Sequence, residues 1–386
     1  MSEKNTSGTT APSRPDSGGT SAPLLEVTGV TKSFKVPRNA AGHNRLTALD
    51  GVDLRLGRGE TLGVVGESGC GKSTLARVLL LLERPDSGTV RFDGTDPFAL
   101  RKQDLLAWRR RVQMVFQDPF ASLNARMPAA DIIGEPWRTH RDVAPTARAR
   151  ETRVRELLDL VGLRAADAFR YPNEFSGGQR QRLGIARALA LDPDLIVCDE
   201  PVSALDLSVQ AQVLNLLSDL QQRLDVSYVF ISHDLSVVRH VADRVSVMYL
   251  GKVIEHGPTE DVFDRPVHPY TAALMSAAPA LDVSGAGPRA DRILLSGEIP
   301  SPLDPPSGCR FRTRCWQAAD RCAEHAPPVR ARDGAAVGKR PAGGRPGAGP
   351  ERHEGLCHFP LSAEPLSIGS AGGGGGAAAG TATAGK

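Results

Sequence analysis

Length, composition and charge limit what this chain can be. It has 386 residues, of which 40% are hydrophobic and 24% charged, and its formal net charge is +3. These values suit a globular protein of about two domains and exclude a strongly basic nucleic-acid binder. The sequence has no apolar run of the roughly 18 residues that a transmembrane helix needs, and no apolar core of a secretory signal. We therefore expect a cytosolic protein whose thiols stay reduced.

Composition divides the chain into four regions. Both ends, residues 1–22 and 362–386, are low-complexity segments that we expect to be disordered. Residues 24–257 alternate strand-like and helix-like segments, which predicts an α/β fold with a largely parallel sheet covered on both faces. Residues 258–361 are richer in Pro, Ala, Gly and Arg, which indicates a second, smaller module.

The predicted elements of residues 24–257 follow one another in a regular order. "ETLGVVG", "DLIVCDEP" and "VSYVFISH" each predict a short buried strand. Apolar residues at helical spacing predict a helix after each of the first two strands: Leu75, Val78, Leu79 and Leu82, then Val209, Val213, Leu216, Leu217 and Leu220. "DRVSVMYLGKVIEHG" predicts a hairpin that turns at Gly251-Lys252.

A phosphate-binding pattern follows the first of these strands. "GESGCGKST", residues 66–74, matches the P-loop, whose glycines let backbone N–H groups turn towards a phosphate. Lys72 is expected to reach the β- and γ-phosphates of ATP, and the Ser73 hydroxyl to bind Mg²⁺ at the start of a helix. The spacing of the glycines disfavours a dinucleotide-binding site. We expect the whole loop to contact the nucleotide: Gly66, Glu67, Ser68, Gly69, Cys70, Gly71, Lys72, Ser73 and Thr74.

The second buried strand ends in an acidic pair, Asp199 and Glu200. In a P-loop fold, an aspartate at the carboxyl end of a buried strand is placed to hold Mg²⁺. The adjacent Glu200 is placed to polarise the water that attacks the γ-phosphate. An acidic pair at the end of a strand is a weak signal by itself, but together with the P-loop it predicts an ATP-hydrolysing site.

The segment between these two sites resembles a known family. "FSGGQRQRLGIARALALDPDLIVCDEPVSALD", residues 175–206, resembles the ATP-binding-cassette ATPases, and the resemblance extends over residues 24–257. Within it, Ser176 can cap a helix at whose start Gly177 and Gly178 expose N–H groups to an anion. The resemblance implies that two cassettes pair head to tail, so that the Ser176, Gly177, Gly178 and Gln179 of one subunit bind the ATP held by the other.

The resemblance also implies an architecture and further site residues. It implies a RecA-like parallel sheet core, an antiparallel β subdomain and a helical subdomain at about residues 118–175. Gln117 resembles the glutamine that senses Mg²⁺ and the attacking water, and His233 resembles the histidine that contacts the γ-phosphate. Phe34 resembles the aromatic residue on which adenine stacks, and Ser203–Asp206 resembles the loop that crosses the dimer interface. We therefore expect a hydrolysis-competent cassette that uses ATP and Mg²⁺.

Two further stretches indicate a branch of the family. "VQMVFQDPFASLNARM" and "RPVHPYTAALMSAAP" resemble the ATPases of oligopeptide and dipeptide importers, with the second of their two ATP-binding subunits as the best match. Nickel importers share much of this pattern. The resemblance implies a peripheral protein at the cytoplasmic face of the cell membrane. Its implied partners are a second ATPase subunit (a paralogue or a copy), two permease subunits and, indirectly, an extracellular solute-binding protein.

Four cysteines lie in the predicted second module. Cys309, Cys315 and Cys322 are separated by five and six residues, and Cys357 follows after 34 more. Four thiols in a cytosolic segment with little core material indicate a metal site. The resemblance implies that they hold a four-iron–four-sulfur cluster, for which Cys₄ ligation is chemically suitable. Zinc is the alternative, with His353 or His358 replacing a thiolate, and four thiols without metal are the third possibility.

Two other functional classes fit the sequence less well. A soluble cassette ATPase of DNA maintenance would carry a long coiled-coil insertion between the P-loop and Ser176, and the translation type usually has two cassettes per chain. The basic run Arg109, Arg110 and Arg111 suggests a solvated surface more than nucleic-acid binding, so we expect no nucleic-acid partner. A binding module without catalysis conflicts with the presence of Glu200 and His233.

Overall fold

The computed structural model describes residues 22–37, 44–277, 292–331 and 353–361. The two low-complexity ends predicted from the sequence therefore lie outside the described residues, apart from Ala22. No helix in the described ranges is both long enough and apolar enough to span a membrane.

Strands and helices alternate along most of the described chain. The strands are β1 (Leu25–Lys35), β2 (Arg45–Leu56), β3 (Thr61–Val65), β4 (Ser87–Phe92), β5 (Val112–Val115), β6 (Leu195–Asp199), β7 (Ser227–Ile231), β8 (Arg244–Tyr249), β9 (Lys252–Pro258), β10 (Val329–Ala331) and β11 (Glu354–Leu356). The α-helices are α1 (Lys72–Leu79), α2 (Lys102–Arg111), α3 (Pro119–Ser122), α4 (Ala129–Gly134), α5 (Ala147–Leu160), α6 (Gly177–Leu189), α7 (Leu207–Leu224), α8 (Leu235–Val241), α9 (Thr259–Asp264), α10 (Pro269–Ser276) and α11 (Asp320–Glu324). Short 3₁₀ turns cover Pro97–Ala99, Glu135–Arg138, Ala165–Phe169 and Pro172–Glu174.

The central sheet is mixed. Its strand order is β10-β11-β9-β8-β3-β7-β6-β5, and the five strands from β8 to β5 run parallel to their neighbours. The three strands on the other side of β8 are antiparallel. The prediction of a largely parallel sheet is thus confirmed for the part that carries the phosphate loop, and the predicted hairpin is the antiparallel pair of β8 and β9. Strands β11 and β10, which extend this edge, were not predicted.

The parallel strands are buried on both faces, as their apolar runs predicted. Successive residues of β3 show this, because Val64 belongs to one hydrophobic cluster and Val65 to the other. In β7 the same alternation places Phe230 on one side and Ile231 on the other. Side chains of a strand point alternately to its two faces, so each strand joins two packed layers.

A separate antiparallel sheet covers one of these layers. Its order is β2-β1-β4, with Leu25 of β1 opposite Leu56 on one side and Phe92 on the other. These residues and α1 share one hydrophobic cluster. The antiparallel β subdomain implied by the resemblance is therefore present, and Phe34 lies near the end of its central strand.

Helices α3 to α5 and the intervening 3₁₀ turns lie between β5 and α6. Trp137 is 1% exposed and donates its indole N–H to the Ala190 carbonyl at 2.8 Å. Thr146 caps α5 by accepting a hydrogen bond from the Ala149 N–H at 3.1 Å. The predicted helical region is therefore packed on the end of α6 rather than standing apart from the cassette.

The described residues after 258 extend the cassette sheet and pack against its helices. Strand β11 pairs with β9, where Gly355 lies opposite Glu255, and β10 adds to its other edge. Cys309, Phe311 and Cys322 belong to the same hydrophobic cluster as the cassette helices. The expectation of a separate small module is not confirmed in this form, because these residues bury their apolar surface against the existing sheet.

Two local predictions shift by a few residues. Helix α1 ends at Leu79, and Leu82, which was predicted to continue its apolar face, is 66% exposed. The hairpin between β8 and β9 turns at Leu250 and Gly251, with φ values of 43° and 82°, one residue earlier than predicted. Two consecutive residues with positive φ are typical of a tight hairpin turn.

Candidate active site

The phosphate loop joins β3 to α1 through glycines that no other residue could replace without strain. Gly66 has φ of 150° and Gly71 has φ of 113°, conformations that L side chains rarely adopt. A Cβ atom at Gly66 would lie 2.2 Å from the Met248 carbonyl oxygen, and one at Gly71 would lie 2.4 Å from that of Ala48. The backbone can therefore make this turn only with glycine at both positions.

The amine of Lys72 is held by the loop itself. It is buried, and its Nζ donates to the carbonyls of Gly66 at 2.6 Å and Glu67 at 3.1 Å. Cys70 lies beside it, with Sγ 3.9 Å from Nζ, and burial raises the pKa of this thiol. Gly71 caps α1 without a side-chain hydrogen bond, so the first N–H groups of the helix can bind an anion.

Glu67 is already engaged by protein groups on two sides. Its N–H donates to the Tyr270 hydroxyl at 3.0 Å, and its carboxylate contacts Arg314 at 2.9 and 3.2 Å. The sequence predicts Glu67 only as a member of the phosphate loop and gives no sign of its contact with Arg314. Tyr270 had a signal in the "HPYT" motif, whereas Arg314 is one of many arginines after residue 300.

The predicted magnesium ligands lie together. Asp199 ends β6, and its carboxylate accepts a hydrogen bond from the Ser73 hydroxyl. Burial raises the pKa of Asp199, and the adjacent Glu200 raises it further, against the opposing effect of Lys72. A partly buried carboxylate beside a second carboxylate is a favourable place for a cation, because a cation offsets both causes of the raised pKa.

The Glu200 carboxylate contacts two other predicted site residues, Gln117 and His233. One carboxylate oxygen lies 2.9 Å from Gln117 Nε2, and the other lies 3.0 Å from His233 Nδ1. Because a carboxylate only accepts hydrogen bonds, Nδ1 of His233 is the donor in this contact. Glu200 itself has φ of 49°, an uncommon conformation for a residue other than glycine and one often found at functional sites.

These contacts have a direct chemical meaning. The structure gathers Gln117, Asp199, Glu200 and His233 at the ends of parallel strands, next to the loop that carries Lys72. A carboxylate oriented by two neutral donors can accept a proton from a water molecule, and a buried amine can stabilise phosphate oxygens. The arrangement is therefore suited to hydrolysis of a phosphate anhydride.

The "SGGQ" motif forms a second helix N-terminus. Ser176 caps α6: its hydroxyl accepts from the Gln179 N–H at 3.3 Å, and the Gln179 side chain accepts from the Ser176 N–H at 3.0 Å. A Cβ atom at Gly178 would lie 2.4 Å from Val209, and one at Gly177 would lie 3.3 Å from Leu205 of the predicted interface loop. The motif is thus packed against residues 203–209 of the same chain.

Phe34 lies apart from this cluster. It is half-buried on β1, and the Lys32 ammonium lies 5.2 Å from the centre of its ring. Residues 38–43, which follow it, are outside the described ranges. The stacking of adenine on Phe34 stays a prediction.

The four predicted cysteine ligands line one cavity. Cys309, Cys315, Cys322 and Cys357 meet there with His358, although 34 residues separate the last two cysteines in sequence. Burial raises the pKa of Cys357 to about 12, and the neighbouring thiols add to this effect. No three His, Cys, Asp or Glu side chains within the described ranges are grouped closely enough to hold a metal ion as they stand.

The two histidines proposed as alternative ligands differ. His353 is buried beside β9 with Nε2 2.6 Å from a Glu255 carboxylate oxygen, and it does not line the cysteine cavity. Nε2 of His358 lies 3.0 Å from the His325 carbonyl, so Nε2 carries the proton and the buried Nδ1 keeps a lone pair. His358 is therefore the histidine whose position suits a fourth ligand.

Comparison with protein-family models gives two adjoining matches. Residues 49–203 match the ABC transporter family, and residues 254–322 match the oligopeptide/dipeptide transporter C-terminal region. The first range contains the phosphate loop, the SGGQ motif and the acidic pair. The second contains Tyr270, Arg314 and three of the four cysteines of the cavity.

Curated relatives align with most of the chain. A dipeptide transport ATP-binding protein of Haemophilus influenzae is 51% identical over 306 residues, which cover 79% of this chain and 92% of that protein. An oligopeptide transport ATP-binding protein of Bacillus subtilis is 52% identical over 308 residues, covering 79% and 92%. A di/tripeptide transport ATP-binding protein of Pseudomonas aeruginosa is 49% identical over 314 residues, covering 80% and 95%.

Solved structures agree with this assignment. The dimeric post-hydrolysis state of the ATP-binding cassette MJ0796, bound to ADP and Pi, is 30% identical and superposes with a TM-score of 0.55 over 61% of this chain and 99% of that one. CbiO1 of Clostridium perfringens, part of an ABC transporter complex, is 26% identical with a TM-score of 0.54 over 62% and 90%. The chain therefore belongs to the ATP-hydrolysing subunits of the ABC transporter family, in the group that carries the oligopeptide/dipeptide transporter C-terminal region.

Proposed function

We propose that this chain energises a membrane importer of dipeptides or oligopeptides by binding and hydrolysing ATP at its cytoplasmic face. The observation that carries the proposal is the agreement of full-length relatives. Proteins named for dipeptide, oligopeptide and di/tripeptide transport align with about four fifths of this chain at about half identity. The match continues past the cassette through the C-terminal region, which other ABC ATPases need not share.

In the proposed cycle, the phosphate loop of one cassette binds ATP and the Ser176–Gln179 helix of a second cassette covers it. Lys72 holds the terminal phosphates, and Ser73 and Asp199 would hold Mg²⁺, which when bound neutralises charge on those phosphates. Glu200, oriented by Gln117 and His233, accepts the proton of the attacking water. Phe34 would stack on adenine and complete the nucleotide site.

Closure of the cassette pair is the proposed source of movement. The binding energy of ATP draws the two cassettes together, and hydrolysis separates them again, as in other closure mechanisms driven by ligands. The partner cassette is either a paralogue or a second copy of this chain. Leu207, which follows the predicted interface loop, is 82% exposed, and this supports a protein partner on that side.

The permease subunits are proposed to dock on the helical region. Large aromatic side chains are exposed in and beside residues 118–175: Phe116 is 42% exposed, Phe120 63%, Phe169 81% and Tyr171 45%. Exposed aromatic side chains of this kind are typical of protein interfaces. An extracellular solute-binding protein would deliver peptide to the permeases, so this chain would not contact the solute.

We propose the same division into domains that the sequence predicts. Residues 24–257 form the ATPase cassette, with its helical region at 118–175, and residues 258–361 form the C-terminal region of peptide importers. Residues 1–22 and 362–386 are proposed to take no part in ATP binding.

We also propose that the cysteine cavity holds a four-iron–four-sulfur cluster. Cys309, Cys315, Cys322 and Cys357 line one cavity, which supports a shared ligand. Four thiolates suit such a cluster by their chemistry, because each can bind one iron. Zinc, with His358 as a ligand, is the alternative.

Two other functions have less support. Import of nickel by the same branch would use the same cassette and differ only in the permease and binding protein. A soluble role on nucleic acid would need a free basic surface. Arg110 contacts Asp142, and Arg111 contacts Asp93 and Asp194, so much of the basic run is already paired with acidic side chains.

The proposal is tested by uptake in the source organism. Deletion of the gene should abolish uptake of labelled dipeptides or oligopeptides, and the wild-type chain should restore it while Glu200→Gln should not. A matched control is Glu156→Gln, which removes an exposed carboxylate on α5. Loss of nickel uptake with normal peptide uptake would favour the nickel importer, and normal uptake of both would contradict a role in either transport process.

A further inference from the structure

One charged contact joins the cysteine-rich C-terminal segment to the phosphate loop and has no part in the hydrolysis steps described above. Arg314 Nη1 lies 2.9 and 3.2 Å from the two carboxylate oxygens of Glu67, the second residue of the loop. The Arg314 side chain is 9% exposed and that of Glu67 is 24% exposed. Salt screens such a pair less than it screens a surface pair, so the charges act strongly on each other and on their surroundings.

Glu67 is tied directly to the amine that binds phosphate. Its carbonyl accepts a hydrogen bond from Lys72 Nζ at 3.1 Å, and its N–H donates to Tyr270. An unpaired carboxylate on this residue would place a negative charge beside the site of a polyanion. With Arg314 in position, that charge is compensated before ATP arrives.

The C-terminal segment holds Arg314 firmly against the cassette. Phe311 is 1% exposed, and its ring centre lies 5.4 Å from those of Tyr249 and Tyr270. Arg310 contacts Asp50 and the Leu250 carbonyl. Burial alone would lower the pKa of Arg314, but its hydrogen bond to Glu67 raises it, so the guanidinium stays charged.

The next residue, Cys315, lines the cysteine cavity. The backbone that carries Arg314 to Glu67 therefore also carries one of the four thiols. A single peptide unit therefore separates a thiol of the cavity from the guanidinium that contacts the phosphate loop.

We propose that Arg314 is a positioning residue that neutralises Glu67 inside the phosphate loop and thereby raises the affinity of the cassette for ATP. The ATP affinity of this chain then depends on the cysteine-rich segment that carries Arg314. The proposal uses only the binding of ATP by the phosphate loop, so it stands or falls independently of the transported solute and of the metal.

The test compares ATP binding and turnover of the full-length chain and its variants. Arg314→Gln should weaken binding of a fluorescent ATP analogue about tenfold, because it leaves the Glu67 carboxylate unpaired beside the triphosphate. The KM for ATP should rise with it while kcat changes little, because Arg314 does not touch the reacting atoms. Arg314→Lys keeps the charge and should recover most of the affinity.

A second substitution separates charge compensation from packing. In the double variant Glu67→Gln with Arg314→Gln, the unpaired carboxylate is gone and the affinity for ATP should be several-fold higher than that of Arg314→Gln. The matched control is Arg312→Gln, because Arg312 belongs to the same segment but its guanidinium donates to Ser307 and not to the phosphate loop.

Three results would overturn the proposal. The first is that Arg314→Gln binds ATP as tightly as Arg312→Gln. The second is that the double variant binds ATP as weakly as Arg314→Gln. The third is that Arg314→Gln lowers kcat and leaves KM unchanged. If Arg314→Gln does not fold, the double variant is compared with the single variant Glu67→Gln: similar affinities support charge compensation, and a further loss of about tenfold contradicts it.

Discussion

In the phosphate site, hydrogen bonds between functional groups hold the reactive side chains, whereas in the cysteine cavity the thiols are held by packing. Lys72 is bound by two carbonyls of its own loop, and Glu200 is bound by Gln117 and His233. Burial raises the pKa of Cys309, Cys315 and Cys357, so without metal these thiols are neutral.

The difference indicates how each site treats its ligand. The phosphate site is organised before ATP binds, which suits a ligand that must enter and leave in every cycle. The cysteine cavity can bind a metal only by releasing protons from buried thiols, which suits a ligand that enters once and stays. Each substitution below tests one side of this comparison or the contact between the two sites.

The largest effect is expected at Glu200. Glu200→Gln removes the proton acceptor but keeps an oxygen for hydrogen bonding, so ATP hydrolysis should fall by at least about 100-fold while ATP binding is retained. Steady-state turnover and ATP-analogue titration measure the two quantities, with Glu156→Gln as the control on an exposed helix. Unchanged turnover would mean that Glu200 is not the general base.

The next largest effect is expected on the amount of metal bound in the cysteine cavity. Cys357→Ser should lower the bound metal, measured as iron or zinc per chain in protein purified without oxygen, because it removes one of the four proposed ligands. His358→Gln is the matched variant, since His358 lines the same cavity and has a lone pair on Nδ1. Colourless protein with one zinc, lost on His358→Gln, would contradict the cluster and favour the zinc alternative.

The stability of the fold is expected to depend on pH through His268, which lies between the two sites. His268 lines the cysteine cavity and accepts the Tyr270 N–H through Nδ1, and burial lowers its pKa to about 3. The unfolded chain binds a proton at His268 below its ordinary pKa of 6.5, and the folded chain does not, so stability falls as the pH falls through this window. The loss between pH 7 and pH 5 should be about 2 kcal/mol.

His268→Asn tests this effect, because asparagine can also cap α10 but does not titrate. Denaturant unfolding at pH 7 and pH 5 should show a smaller loss in the free energy of unfolding for this variant than for the wild type. His240→Asn, at an exposed position near the end of α8, should keep the wild-type loss. Equal losses in all three proteins would show that His268 is not the titrating group.

The smallest effect is expected at Tyr270. Tyr270→Phe removes the hydroxyl that accepts the Glu67 N–H, which should weaken ATP binding by about fivefold, the equivalent of one neutral hydrogen bond. Tyr228→Phe is the control, because the buried Tyr228 hydroxyl has no hydrogen-bond partner in the described part of the chain. Equal ATP affinities of the two variants would show that this hydrogen bond does not support the phosphate loop.

The sequence predicted contiguous features well and distant contacts poorly. The phosphate loop, the strand that ends in Asp199 and the Ser176 cap each lie in one short segment, whose local geometry follows from its residue types. The pairing of β11 with β9 joins residues about 100 positions apart, and no local pattern predicts it. The sequence predicts the hairpin of β8 and β9, but it gives no sign of β11 and β10, which extend this antiparallel edge.

Arg314 shows the same limit within the site. Its partner Glu67 is 247 residues away in sequence, and the segment around it has no periodicity that would indicate a buried ion pair. The four cysteines were found because thiols are few and their chemistry is specific. An arginine among many others carries no such signal, so only the folded chain reveals its contact.

The central claim is that ATP hydrolysis by this chain drives peptide import. The most direct test is the ATPase activity of the chain purified with its permease subunits in lipid vesicles, measured with and without peptide-loaded binding protein. Peptide should increase the activity, and the increase should vanish with Glu200→Gln. An activity that responds to nickel but not to peptide, or to neither, would contradict the account.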